Sequence, residues 1–210
     1  MCARSWWQPR AANALDLCVE ANYGLSEKNG AELAVKEINE TLKEYCIALA
    51  ETGINAIMFD TLFASGSIMS KEMWDDMEGE AIEELSNVVR EHNCMVMIHN
   101  CGEKIYFDAQ IKRMDPVAIS FLYPPDDCAS FAECKEKYGD KVTLIGCVTP
   151  ANAVFGTDEE WDKQCTDQID AMAKGGGFML ATGCEYPANA TFDRAQRMID
   201  IAKTYGVYKK

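Results

Sequence analysis

The sequence is poor in histidine, in basic charge and in long apolar runs. Only two of its 210 residues are histidine, His92 and His99. Lys and Arg number 20 against 34 Asp and Glu, a net charge of −14. A phosphate backbone needs a basic surface, so no nucleic-acid partner is expected. No segment approaches the ~20 apolar residues of a membrane span. Residues 1–18 hold no apolar stretch of signal-peptide length. The expectation is a cytoplasmic chain with no membrane partner. No G-x-G-x-x-G follows a strand-like run, which weakens a dinucleotide-binding reading. No linker, low-complexity tract or short-period repeat divides the chain, so 1–210 reads as a single domain.

Cysteine, by contrast, is plentiful, with ten residues. Disulfide frameworks belong to small secreted domains, and this chain is large and lacks a secretion signal, so most thiols are expected to stay reduced. Cys46 and Cys165 fall within helical patterns and read as packing residues. Cys128 and Cys134, six apart, carry no further signal.

Helical and strand patterns alternate. Helical spacing covers 31–53, 70–93, 104–114, 127–139, 157–176 and 189–206. Ser70 reads as an N-cap, Gly79 as a break, and Thr157 with Glu160 as a capping box. Short apolar runs at 54–60, 94–100, 116–122, 142–148 and 177–183 read as buried parallel strands. Strand–helix alternation implies a parallel sheet with helices outside it. An open doubly wound sheet and a (β/α)8 TIM-type barrel both fit. A barrel has eight units and roughly 250 residues, so the chain reads as its last five βα units. In a barrel, Asp60, His99, Cys101, Cys147 and Cys184 would all lie at the mouth formed by the strand ends.

His99 and Cys101 are two apart where a strand runs out, so their side chains point to one side. An imidazole and a thiolate placed so make half of a zinc site, and Cys184, just past another strand end, adds a third donor. Three N and S ligands with a fourth position open match catalytic zinc. From these residues alone, a zinc set and ordinary strand-end residues stand level. His92 closes a helix, where its charge would meet the dipole, and is expected at the surface.

The order of motifs from Gly53 to Gly206 resembles the uroporphyrinogen decarboxylase superfamily. "GINAIMFD", "ASGSIMSKEMW", "IHNCG", "LIGCVTP", "GTDEEW" and "LATGCEYP" follow in that family's order. Within it, the chain is most similar to the methylcobalamin:coenzyme M methyltransferase branch, whose H-x-C…C zinc set maps onto His99, Cys101 and Cys184. The decarboxylase branch lacks this thiol pair and holds substrate carboxylates with an arginine-bearing N-terminal segment that does not occur here. Cys147 stands where the family usually has asparagine. Leu122 and Tyr123 occupy the region where zinc-binding members can carry a glutamate, which leaves water or substrate for the fourth position.

The resemblance implies a zinc-dependent methyltransferase that moves a methyl group from methylcobalamin on a partner corrinoid protein to a small thiol such as coenzyme M. A thiol coordinated to zinc gives up its proton near neutral pH. Two cysteinates keep the substrate sulfur electron-rich. Asp60 is the candidate catalytic residue at the mouth, with a strand-end cap as the equal alternative. Ser65, Ser67 and Tyr123 are the candidate substrate contacts, and Glu185 neighbours a ligand. The competing readings are a decarboxylase-like enzyme acting on a tetrapyrrole, and a truncated or non-catalytic subunit. Strands at 54–60 and 177–182 would flank three absent strands, so homo-oligomerisation or pairing with a separate N-terminal half is expected. Alternatively residues 1–50, with the two tryptophans of "SWWQP", would cover the gap.

Overall fold

The computed structural model describes residues 28–207, and side chains from residue 34 onward. The expected covering role of Trp6 and Trp7 lies outside these residues. Helix α1 (Lys28–Glu51) leads into strand β1 (Ala56–Asp60). A short helix α2 (Lys71–Trp74) passes through a π turn (Asp75–Gly79) into α3 (Glu80–Glu91), then β2 (Met95–Asn100). Next come α4 (Phe107–Met114), β3 (Ala118–Phe121), α5 (Phe131–Tyr138) and β4 (Thr143–Val148). The chain ends with α6 (Asn152–Phe155), α7 (Asp158–Met172), β5 (Phe178–Thr182) and α8 (Phe192–Thr204). No helix among the described residues is long and apolar enough to cross a membrane.

Local chemistry sets several of these boundaries. Ser70 Oγ accepts from the Met73 N–H and starts α2. Thr157 and Glu160 form a reciprocal capping box at α7. His92 closes α3, with its ring Nδ1 2.9 Å from Val88 O. The interruption expected at Gly79 is a π turn rather than a break, and α6 has no counterpart in the sequence reading.

The five strands are all parallel and lie in the order β1-β2-β3-β4-β5. Right-handed crossovers that always step in the same direction put every helix on one face. A doubly wound sheet reverses direction at a switch point, and this one does not. The fold is therefore the arc of a TIM-type barrel. Among the described residues β1 pairs only with β2, and β5 only with β4.

Side-chain alternation divides the arc. Ile57, Phe59, Val96, Ile98, Ile119, Phe121 and Leu144 are buried in a core shared with Trp74, Leu85, Phe107 and Tyr138. The opposite face carries Met58 and Met97, half-buried, with Met95 and Met179 exposed. One row of that face runs in register through Asp60, His99, Ser120, Ile145 and Met179. This row sets up the site.

A candidate metal centre at the ends of β2 and β5

The C-terminal ends of the strands bring three donors together. The ligand atoms of His99, Cys101 and Cys184 all lie within 4.8 Å of one another, and each residue is half-buried. His99 and Cys101 meet because β2 runs out in extended chain, which points alternate residues to one side.

Cys184 arrives by a different route. The Gly183 N–H donates to Val148 O at 2.8 Å, and the Thr182 hydroxyl donates to the Cys184 carbonyl at 2.7 Å. A Cβ on Gly183 would come within 2.6 Å of Leu122 Cα. Only glycine lets this backbone lie against the end of β3, and that contact swings Cys184 toward β2.

The imidazole is oriented from beside it. Ser120, opposite His99 in the register, has its Oγ 3.1 Å from His99 Nδ1. With Nδ1 so engaged, Nε2 is the nitrogen open to a cation. Burial pushes His99 below its usual value, against the pull of Asp60 and Glu185, and favours the neutral, metal-binding imidazole. Burial, its hydrogen bond with Cys184, the Cys184 charge and the Asp60 carboxylate push the Cys101 thiol up to about 12.

These donors fit zinc. Two sulfurs and one nitrogen at this spacing are the N/S set that the ion prefers. A cation entering would displace the proton that burial now holds on Cys101, so its binding is coupled to proton release. A second group of ligand atoms, from Asp108, Asp126 and Asp127, does not compete. Lys71 bridges Asp108 and Asp126 at 2.8 and 3.1 Å, and Lys137 pairs with Asp127 at 2.6 Å.

The remaining expected residues fall in different places. Asp60 ends β1 directly beside His99 and acts electrostatically on both His99 and Cys101. Ser65 is buried, and its hydroxyl donates to Leu62 O while sharing a hydrogen bond with Ser67. It ties the loop after β1 together, whereas Ser67 and Tyr123 are exposed. Cys147 departs from expectation. It is buried in the main core and acted on electrostatically by Cys134 of α5, apart from the three-donor group. The strand's alternation breaks at Gly146, whose φ of +138° lies in glycine's region and whose Cβ would meet Phe121 O at 2.3 Å. Ser120 was missed in the sequence; its signal was a lone hydroxyl in an otherwise apolar run.

Residues 22–205 match the family described as uroporphyrinogen decarboxylase (URO-D). The chain belongs to the uroporphyrinogen decarboxylase family. Among solved structures it is similar to a methyltransferase from Methanosarcina mazei, at 17% identity and a TM-score of 0.69. The likeness covers 89% of this chain and 53% of that one, so this chain spans about half the length of the structure it matches. A comparison with curated proteins returns no match. The five-stranded arc is thus part of a uroporphyrinogen decarboxylase-type barrel, with the three donors at its mouth.

Proposed function

We propose that the chain holds one zinc ion through His99, Cys101 and Cys184, and transfers a methyl group from a methylated corrinoid on a partner protein to a thiol such as coenzyme M. The observation that carries this reading is the convergence of two thiols and a neutral imidazole within 4.8 Å at the barrel mouth. A solved structure of similar fold is a methyltransferase, which supports the same reading.

Bound there, zinc would lower the pKa of a coordinating substrate thiol into the neutral range. The chain's own residues do the rest. Ser120 holds the His99 ring so that one nitrogen faces the site. Asp60, beside His99 in the register, is the residue we propose takes the proton that the substrate thiol gives up.

Incubation with methylcobalamin and coenzyme M tests the reading. The expected products are the methyl thioether and demethylated corrinoid, with close to one proton released per site when thiol is added. A zinc coordination unchanged by saturating thiol, together with decarboxylation of a tetrapyrrole, would favour the decarboxylase reading.

The activity is proposed for the arc together with whatever closes it. Among the described residues β1 pairs with β2 and β5 with β4, so the strand pairing that would close the arc is not among them. Another copy, a separate N-terminal half or a further stretch of the same polypeptide would supply the pairing. A monomer in sedimentation that binds no apolar dye would contradict an open arc.

A further inference from the structure

We infer that Asn100, the residue between His99 and Cys101, is the positioning residue that aims Cys101 at Cys184; its consequence for metal binding rests on the zinc reading above. In β2, Val96, Ile98 and Asn100 form the fully buried, helix-facing row, each at most 1% exposed. The first two are aliphatic, and the strand pattern calls for a third aliphatic residue. A carboxamide there costs stability unless its hydrogen bonds are made.

Those bonds are made, and they go to the two loops that frame the site. Asn100 Nδ2 donates to Thr61 O at 2.7 Å and to Ala64 O at 3.3 Å. Its Oδ1 accepts from the Gly102 N–H at 2.9 Å. One side chain therefore clamps the loop after β1 to the peptide that follows Cys101. Thr61 is fixed in turn. Its N–H donates to His99 O at 2.9 Å, and Gln110 of α4 donates to its hydroxyl.

The geometry explains why a polar residue is placed behind the ligands. Cys101 is the first residue past β2 and has no ladder partner of its own. Its backbone is held on one side by the strand and on the other by the Gly102 N–H bond to Asn100. Without the clamp the chain is free to turn after Asn100, and the Sγ atom moves away from Cys184. Groups that orient ligands from behind are worth roughly 10–100-fold in metal affinity.

Asn100→Ser retains an acceptor near Gly102 but cannot reach Thr61 and Ala64, and Asn100→Asp sets a carboxylate against their carbonyl oxygens. Both are made in the full chain, with circular dichroism to verify folding, and the serine variant carries the test if the aspartate variant does not fold. Two probes are used. Co²⁺ reports metal affinity and the number of thiolates through its sulfur charge-transfer absorption. A trivalent arsenical, which bridges two neighbouring thiols, reports the Cys101–Cys184 spacing without metal; capture by a Cys184→Ala chain is subtracted.

The expected result is a folded Asn100→Ser chain with at least tenfold weaker Co²⁺ binding, a reduced thiolate band and lost arsenical capture. Wild-type values for both probes in a folded variant would overturn the positioning role while leaving the zinc reading intact. Arsenical capture that depends on Asn100 in a chain that takes up no Co²⁺ would uphold the positioning role and remove the zinc reading.

Discussion

Cys134 and Cys147 lie in the apolar core, fully buried, while Cys101 and Cys184 lie half-buried at the mouth of the same arc. Burial raises the Cys134 and Cys147 thiols, and it raises Cys101 as well. A raised thiol therefore does not separate Cys101 from the core cysteines. Their neighbours do. The core pair belongs to the apolar cluster, with Cys128 and Asp127 acting on Cys134 but, among the described residues, no imidazole beside it, whereas the mouth pair faces the His99 imidazole, with Asp60 beside it. The lesson is that a raised thiol does not by itself mark a candidate ligand; what marks Cys101 is the convergence of a second thiol and an imidazole on it, a donor set in which a cation could replace the proton.

The sharpest way to break this comparison is to truncate each pair. Cys101→Ala or Cys184→Ala should lower zinc affinity by at least about 100-fold, since each removes one of three ligands; competition with a chelator measures it. Cys134→Ser and Cys147→Ser should leave zinc content unchanged and lower stability by about 1–3 kcal/mol in urea titrations, because a hydroxyl is buried among apolar groups. Loss of zinc from the core variants would erase the distinction.

A smaller effect is expected behind the imidazole. Ser120→Ala leaves Nδ1 without its hydroxyl partner, and zinc affinity should fall about tenfold. Ser120→Thr, which restores a hydroxyl, should recover part of it.

The smallest effect tests a buried group away from the mouth. Glu78, in the π turn, accepts from the Trp74 indole N–H. Burial raises its carboxyl from 4.5 to about 7, against the hydrogen bond from Trp74. The native state thus holds this proton more tightly than the unfolded chain. The stabilisation is full below pH about 4.5 and is lost as pH rises through about 7. Glu78→Gln keeps an acceptor for the indole and no longer titrates. Its advantage over wild type should grow between pH 5 and 8 to about 1–2 kcal/mol, allowing for partial exposure. Urea titrations across that range check it, with zinc affinity unaffected.

Much of the arrangement was legible before the structure. Apolar runs bounded by turn residues marked all five strands, and Ser70 and Thr157 marked their helix starts because capping chemistry is local. His99 and Cys101 could be paired because strand periodicity fixes the side on which each emerges. Cys184 joined them through its place in the motif order. What stayed hidden depends on contacts across strands. Ser120 meets His99 only through the β2–β3 register, and Asn100 reads as an ordinary strand end until its partners at Thr61, Ala64 and Gly102 are seen. Cys147 was expected at the mouth, since nothing local shows that the alternation breaks at Gly146. The strand order, which chooses the barrel over the doubly wound sheet, is likewise a long-range property.

Zinc K-edge X-ray absorption on the purified chain, with metal content measured alongside, addresses the central claim most directly. The expected result is about one zinc per chain, with two sulfurs and one imidazole nitrogen from the protein and a lighter atom in the fourth position that coenzyme M replaces with a third sulfur. A zinc-free protein that takes up no added zinc, or a metal surrounded by oxygen alone, would contradict it.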